Sequence, residues 1–234
     1  MGALAARERV IVALDVPDHA ALTTLLDRLD GRPAFYKVGL ELFIAEGERA
    51  IELVRSRGGR VFLDLKLHDI PETVARAVAS AARVEAELLT VHTSGGYEMM
   101  SRAAEASRGR VKLLGVTVLT SLAEDDLRAE GIGQTIPEMV KARARIAARA
   151  GLAGLVCSPH EIGAARAAAP GLLTVVPGIR PGGTGGGDDQ KRVASATHAV
   201  ADGADYLVVG RPVRDAADPA QAFEALVREV EAAK

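Results

Sequence analysis

Short apolar runs separated by longer stretches of helical spacing are the dominant pattern along the chain. Eight runs are short and rich in Val or Leu. A run of this length and composition predicts a buried strand rather than a helix. The predicted strands are 10–14, 34–38, 60–63, 88–92, 112–118, 154–157, 172–176 and 206–209.

The segments between the runs have apolar residues three and four positions apart, which is typical of amphipathic helices. Three are well defined, at 20–29, 40–57 and 221–232. Ser158-Pro159-His160-Glu161 has the N-cap, N1 and N3 residues of a helix start. Asp218-Pro219 repeats the first part of that pattern. Pro71 and Pro137 are predicted near helix starts, where a missing N–H costs least.

Eight strand–helix pairs in 234 residues favour a single-domain (β/α)8 TIM barrel that spans residues 1–234. A doubly wound open sheet is the alternative, since periodicity alone does not show closure. The only glycine-rich segment, 181–187, lies between a strand and a helix and is interpreted as a loop within the domain.

Composition and charge limit the kind of core, the partners and the cellular compartment that are consistent with the sequence. Hydrophobic residues make up 48% of the chain but aromatic residues only 3%, so the core must consist of aliphatic side chains. The net charge of −2, with both signs dispersed, argues against a nucleic-acid or membrane partner. The single cysteine excludes an internal disulfide, residues 1–9 lack a signal-peptide core, and no apolar run reaches membrane-spanning length. We therefore expect a cytoplasmic protein.

Charged and hydroxyl residues gather where the predicted strands end. The site of a TIM barrel lies at the C-terminal ends of its strands, so these side chains are expected to converge. No comparable set precedes the strands. The residues, in strand order, are Asp15; Lys37; Asp64 and Lys66; His92; Thr117, Thr120 and Ser121; Arg180; and Arg211.

The pair Asp64 and Lys66 has two interpretations. Two residues apart in extended geometry, they share a face and could form an ordinary surface ion pair, which contributes little. Beside Lys37, however, they place two ammonium groups among two or three carboxylates in one barrel mouth. Because such a cluster perturbs pKa values, we interpret it as functional.

Arg180 and Arg211, each with glycine nearby, predict a phosphate site. Loops after the seventh and eighth strands of barrels commonly bind phosphate through backbone N–H groups. Arg211 could grip two phosphate oxygens at once, although Gly210-Arg211-Pro212 could also be an ordinary turn with a solvated arginine.

Other polar residues are given structural roles. Cys157 is predicted to be a buried small side chain, and Asp205 to be structural at the opposite end of the barrel. We interpret His92 as a neighbour of the Lys–Asp cluster, with a core histidine bonded to a carbonyl as the alternative. The remaining histidines of the predicted helices are expected to be solvated: His19, His160 and His198. No His/Cys set has zinc-ligand spacing.

The segment Asp64-Leu65-Lys66-Leu67-His68-Asp69-Ile70-Pro71-Glu72-Thr73 resembles the signature of the orotidine 5'-phosphate decarboxylase family. The Asp-x-Lys-x-x-Asp element alone is shared with a wider superfamily, but the ordered set of motifs is highly specific. The resemblance covers essentially the whole chain. The further matching motifs are Ala13-Leu14-Asp15, Tyr36-Lys37-Val38-Gly39, Pro177-Gly178-Ile179-Arg180-Pro181, Asp189-Gln190-Lys191-Arg192 and Val209-Gly210-Arg211-Pro212.

The resemblance implies a cofactor-independent decarboxylation of orotidine 5'-monophosphate (OMP) to uridine 5'-monophosphate (UMP), the last step of de novo UMP synthesis. In that reaction Lys66 would protonate C6 of the pyrimidine and Asp64 would sit against the substrate carboxylate. Asp15 and Lys37 would hold the ribose hydroxyls, with Lys37 also in the charged network.

The resemblance also implies a homodimer with shared active sites. Asp69, Ile70 and Thr73 would reach the neighbouring subunit's site, and the alanine-rich helix predicted at 74–82 could pack against the partner. The other substrate contacts that it implies are Thr120 and Ser121 on the pyrimidine, Gln190 between base and phosphate, and Arg180, Gly210 and Arg211 on the phosphate.

Two rivals remain. A sugar-phosphate enzyme of the same superfamily, such as a 3-keto-gulonate-phosphate decarboxylase or a hexulose-phosphate synthase, would by resemblance carry a glutamate magnesium ligand where this chain has Lys37. It would also carry an acidic residue near the fifth strand end, where this chain has Thr117 and Thr120. A non-catalytic nucleotide-binding barrel is the other rival, but simple binding would not need carboxylates beside an anion.

Overall fold

Eight parallel strands close into a barrel in the computed structural model, which describes residues 4–180, 182 and 192–233. Each strand pairs with its sequence neighbours, and β1 pairs with β8 to close the sheet. The TIM barrel prediction is therefore confirmed and the open sheet was wrong. The strands are β1 Val10–Ala13, β2 Phe35–Gly39, β3 Arg60–Leu67, β4 Leu88–His92, β5 Lys112–Val116, β6 Gly154–Val156, β7 Leu173–Val176 and β8 Tyr206–Val209.

Helices follow the strands around the outside. The N-cap residues Asp18 and Asp218 accept hydrogen bonds from the backbone N–H groups of Ala21 and Gln221, as expected for helix starts. The helices are α1 Ala6–Arg9, α2 His19–Leu29, α3 Leu40–Glu46, α4 Glu48–Ser56, α5 Pro71–Ala81, α6 Gly96–Ser107, α7 Glu124–Ala129, α8 Ile136–Arg149, α9 Ile162–Ala168, α10 Ala196–Ala201, α11 Arg211–Arg214 and α12 Pro219–Ala232.

Two local predictions were wrong in detail. The helix predicted at 40–57 is two helices, because Gly47 adopts a positive φ of 58° that ends α3 and begins α4. Ser158 caps a 3-10 turn, Pro159–Glu161, and α9 begins only at Ile162. There the Glu161 carboxylate accepts from the Ser158 hydroxyl, so the two side chains pair with each other rather than forming a capping box.

Apolar side chains form two layers separated by the sheet. Alternate strand residues point inward and outward, and both sets are buried because helices cover the outer face. The inner layer is small and includes Phe35, Phe62, Leu88 and Tyr206. The larger outer layer lies between strands and helices. No helix in the described part of the chain combines the length and hydropathy that a membrane span requires.

Candidate active site

The strand pleat directs polar side chains into the barrel mouth. Phe35 and Phe62 belong to the inner core layer, so the residues two positions later, Lys37 and Asp64, point the same way one step nearer the C-terminal end. Lys37 pairs with Phe62 in the β2–β3 register, which brings the two strands' polar residues together. Ala13 of the inner layer is likewise followed two positions later by Asp15.

Lys66 reaches the same place by an irregularity in β3. The β3–β4 register shifts between Leu63 and Leu67, and Lys66 has a φ of 50°, in the left-handed region that a lysine rarely adopts. Its backbone N–H donates to the Thr90 hydroxyl at 2.8 Å instead of to a strand carbonyl. The expected contact between Asp64 and Lys66 exists, but a bulge rather than regular extended geometry produces it.

The four charged side chains form one alternating row. Lys37 Nζ lies 2.8 Å from Asp15 Oδ1 and 3.7 Å from Asp64 Oδ2, and Lys66 Nζ lies 2.8 Å from the same Asp64 oxygen. The Thr90 hydroxyl donates to the other Asp64 oxygen at 2.9 Å. Side-chain exposure is only 11% for Lys37 and 13% for Asp64, so both charges are held largely out of water. We call these four residues the Lys–Asp row.

Two opposing effects determine the pKa of Asp64. Burial would raise it, but the charges of Lys37 and Lys66 and the hydrogen bonds from Lys66 and Thr90 outweigh burial. The pKa of this carboxyl therefore lies below its usual value, and the group is ionised at neutral pH. A β-carbon at Gly39 would stand only 2.8 Å from Lys37 Nζ, so the glycine leaves room for the lysine to reach Asp15.

A cavity of about 460 Å³ extends from the Lys–Asp row across the barrel mouth. Arg180 and Arg211 line the same cavity with Gly178 and Gly210, as the phosphate-site prediction requires. Gly210 is the N-cap of α11, and Arg211 is the first residue of that helix. Thr120 and the apolar Val118 and Leu119 form another part of the cavity wall. One cavity thus joins a charged row, a mixed wall and a pair of guanidinium groups.

Several of the predicted site residues do not line the cavity of their own chain. Ser121 is exposed and does not line the cavity. Asp69, Ile70 and Thr73 are exposed at the start of α5, outside the cavity of their own chain. Gln190 lies outside the described residues. Within the described ranges, no three His, Cys, Asp or Glu side chains come together as metal ligands.

His92 packs against another histidine instead of bonding to the Lys–Asp row. Its ring stacks on that of His68 with centroids 5.3 Å apart, and Nδ1 lies 3.3 Å from the Ser94 hydroxyl. Burial and the neighbouring charges of His68, Arg143 and Lys66 lower the pKa of His92, so the ring is neutral at pH 7. His92 is therefore an uncharged group near enough to Lys66 to feel its charge.

Two residues at the site were not predicted. Thr90 is fully buried, and its hydroxyl joins the Lys66 backbone to Asp64. A threonine within an apolar strand gives no signal of that role. Arg214 donates to the Asp15 backbone carbonyl at 2.7 Å and forms a fork on Asp215 at 2.6 and 2.9 Å. Its place one helical turn after Arg211 could have indicated that it faces the same cavity.

The structural assignments made from the sequence are confirmed. Cys157 is 1% exposed, and burial raises the pKa of its thiol to about 12. Asp205 precedes β8 and accepts hydrogen bonds from the backbone N–H and hydroxyl of Thr174 at 2.8 and 3.0 Å, at the opposite end of the barrel. His19, His160 and His198 are exposed.

Comparison with known proteins gives consistent matches along nearly the whole chain. The sequence profile of the Orotidine 5'-phosphate decarboxylase / HUMPS family matches residues 8–226. The orotidine 5'-phosphate decarboxylase of Moorella thermoacetica is 46% identical over 98% of this chain and 94% of its own length. That of Anaeromyxobacter sp. is 50% identical over 94% of this chain and 96% of its own. The crystal structure of the Lactobacillus acidophilus enzyme superposes with a TM-score of 0.83 at 35% identity, covering 95% of this chain and 99% of that one.

Proposed function

The chain belongs to the orotidine 5'-phosphate decarboxylase / HUMPS family, and from that membership we propose that it decarboxylates OMP to UMP in pyrimidine nucleotide synthesis. The observation that carries the proposal is the Lys–Asp row in the same cavity as Arg180 and Arg211. The row offers a proton donor beside a carboxylate, and the arginines offer a phosphate site. A nucleotide that loses a carboxylate needs both.

Proton transfer by Lys66 completes the reaction. Breaking the bond between C6 and the carboxylate releases carbon dioxide and leaves an electron pair on C6, to which the Lys66 ammonium gives a proton. Fixed charges can stabilise that developing carbanion without a metal or organic cofactor. Lys66 Nζ is already positioned by Asp64, 2.8 Å away, so little reorganisation is needed during the reaction.

Asp64 acts on the substrate carboxylate. Two unit charges about 4 Å apart at an effective dielectric of about 20 repel by roughly 4 kcal/mol. Because the pKa of Asp64 is lowered, the carboxyl is ionised when the substrate arrives, and the two like charges are brought together as the complex forms. The repulsion ends when carbon dioxide leaves.

The other substrate contacts follow the length of the cavity. Asp15 and Lys37 hold the ribose hydroxyls, and Thr120, which lines the cavity, contacts the pyrimidine. Binding energy from the phosphate, remote from C6, organises the reacting end and raises the rate rather than only the affinity. The phosphate contacts are Arg180, Gly210 and Arg211, and the family resemblance assigns Gln190 the role of bridging phosphate and base.

The magnesium-dependent sugar-phosphate enzymes are the rival within the family. Their metal would have to bind beside Lys37, whose ammonium group already lies between the Asp15 and Asp64 carboxylates. A cation at that position repels Mg²⁺. All the described geometry of the Lys–Asp row therefore supports cofactor-independent decarboxylation.

The direct test is the ultraviolet absorbance change when the purified protein meets OMP in the presence of EDTA. We expect loss of OMP absorbance and formation of UMP at the same rate with and without the chelator. Activity that EDTA abolishes and Mg²⁺ restores would favour the magnesium-dependent rival. An unchanged spectrum with tight UMP binding would favour a non-catalytic barrel.

A homodimer with shared active sites is part of the proposal. Asp69, Ile70 and Thr73 are exposed near the rim of the barrel mouth, and Ile70 is 67% exposed although it is apolar. A partner subunit that covers this rim would bury Ile70. The Asp69 carboxylate of one chain would then reach the Lys–Asp row of the partner subunit. Localisation in the cytoplasm, and the absence of nucleic-acid or membrane partners, belong to the same proposal.

Complementation between two inactive variants tests the shared site. Asp64→Ala removes a residue from the chain's own site, whereas Asp69→Ala removes one from the partner's site. Mixed dimers should regain activity, because one of their two sites then has both carboxylates. Verified mixed dimers that stay inactive would show that each site is complete within one chain.

A further inference from the structure

A buried ion pair behind the cavity wall has no part in the reaction described above. Arg192 Nη1 lies 3.0 Å from Glu161 Oε1, and the side chains are only 12% and 5% exposed. The other Glu161 oxygen accepts from the hydroxyl of Ser158, which is fully buried. Glu161 follows β6 and Arg192 precedes α10, so the pair links two loops at the C-terminal end of the barrel.

The arginine also reaches a third loop. Its Nη2 donates to the Leu119 carbonyl at 2.8 Å and lies 3.5 Å from that of Val118. Val118, Leu119 and Thr120 form part of the wall of the cavity that the Lys–Asp row and the two arginines also line. One guanidinium therefore holds the backbone of this wall through its bond to Leu119. The Glu161 carboxylate lies beside it as the counter-charge, with its contact to Nη1 outside hydrogen-bond geometry.

Stability alone is a weak reason for such a pair. Taking two charges out of water costs several kcal/mol each, and replacing a buried pair by apolar residues of similar volume is often neutral or stabilising. A planar guanidinium, in contrast, can hold a carboxylate and a carbonyl in one fixed geometry. The position of the pair indicates a geometric role at the wall.

We propose that Arg192 and Glu161 are positioning residues for OMP decarboxylation, which hold the 118–120 wall against the pyrimidine ring of the substrate. The inference rests on the proposed function, because the wall faces a pyrimidine only if the substrate is a nucleotide. Neither residue contacts the substrate. Both act through the Val118 and Leu119 backbone and thereby through Thr120.

The test is the double variant Arg192→Met with Glu161→Leu, which removes both charges and the bond to Leu119 together. The matched control is Arg60→Met with Glu87→Leu. Arg60 and Glu87 form an ion pair at the opposite end of the barrel, with contacts of 2.6 and 2.7 Å. Thermal unfolding, OMP turnover, and calorimetric binding of UMP and of ribose 5-phosphate are measured for each protein.

Comparing a ligand that has the pyrimidine with one that lacks it distinguishes loss of wall positioning from a general loosening of the site. Misplacement of a substrate contact by about 1 Å costs on the order of 100-fold in rate, and that loss in kcat/KM is expected for the Arg192/Glu161 variant. Its Kd for UMP should rise about tenfold, corresponding to roughly 1.4 kcal/mol. Its Kd for ribose 5-phosphate, which lacks the base, should stay as in the wild type. The control variant should keep all three constants.

Three outcomes would overturn the proposal: a folded variant with wild-type kcat/KM, equal weakening of both ligands, or the same kinetic loss in the control. If the double variant does not fold, Arg192→Lys replaces it, because lysine keeps the charge beside Glu161 but lacks the second arm to Leu119. If Arg192→Lys bound UMP as tightly as the wild type does, that result would also overturn the positioning role of Arg192. Wild-type protein that binds UMP but leaves OMP unchanged would instead refute the proposed function.

Discussion

Charged side chains at the two ends of the barrel are arranged in different ways. At the N-terminal end, Arg60 forms a fork on Glu87, and the hydrogen bond from Arg60 lowers the pKa of that carboxyl. Asp205 is similarly held by Thr174, with Arg166 3.5 Å away. At the C-terminal end, Asp64 instead shares one oxygen between two ammonium groups and faces an open cavity.

The two arrangements of charge have different uses, one in stabilising the fold and the other in binding a ligand. A fork satisfies both partners and leaves little capacity for a further ligand, so its contribution is to the folded state. In the Lys–Asp row, the ammonium groups of the two lysines can turn toward an incoming anion while the carboxylates of the two aspartates stay in place. The strained φ of Lys66 belongs to the same end, where local strain is compatible with function. The comparison predicts that substitutions at the two ends will affect different measurements.

The largest effect is expected for Lys66→Ala. Turnover of OMP should fall by about 100- to 10,000-fold from the loss of general acid catalysis, and further because the ammonium charge that stabilises the carbanion is lost as well. Binding of UMP should survive, because the phosphate and ribose contacts remain. Turnover at a rate near that of the wild type would rule out Lys66 as the proton donor.

Arg211→Ala should give the next largest effect. A hydrogen bond to a charged group contributes about 1.5–3 kcal/mol, which predicts a loss of roughly 10- to 150-fold in kcat/KM for OMP. Turnover of orotidine, which lacks the phosphate, is measured in parallel and should not change. Equal losses for both substrates would place Arg211 outside the phosphate site.

Glu87→Gln examines the opposite end. The Arg60 guanidinium would lose its charged partner, and the free energy of unfolding in urea should fall by about 1–2 kcal/mol, allowing for the partial exposure of the pair. The kcat and KM for OMP should stay as in the wild type. A catalytic defect in this variant would contradict the separation of the two ends.

The smallest effect concerns His92 and pH. Since the pKa of His92 is lowered from 6.5 in the folded state, the unfolded chain binds more protons as pH falls below that value, and wild-type stability declines there. His92→Gln should make this decline shallower, and the roughly 1.4 kcal/mol per pH unit that one full proton contributes is the upper limit of the change. Urea unfolding between pH 5 and pH 7 measures it, with the exposed His198→Gln as control. An unchanged slope in His92→Gln would show that His92 does not titrate this way.

The sequence predicts the strand-end residues because strand alternation and parallel order alone determine them. Lys37 and Asp64 follow inward-facing phenylalanines by two positions, and the closed barrel brings their strands together. The bulge at Lys66 could not be predicted, since it depends on a hydroxyl from the next strand, that of Thr90. The contact of Arg192 with Leu119 joins residues 73 positions apart, and no local pattern records it.

Chemical reconstruction of the ammonium group at position 66 is the sharpest test of Lys66 as the proton donor. Lys66→Cys should be inactive, and alkylation with 2-bromoethylamine rebuilds a lysine-like ammonium there. The only other thiol, Cys157, is buried and its pKa is about 12, so it should not react. We expect alkylated Lys66→Cys to regain OMP decarboxylation, whereas identically treated Lys66→Ala should stay inactive. Complete, mass-verified alkylation without any recovery, or full activity before alkylation, would contradict it.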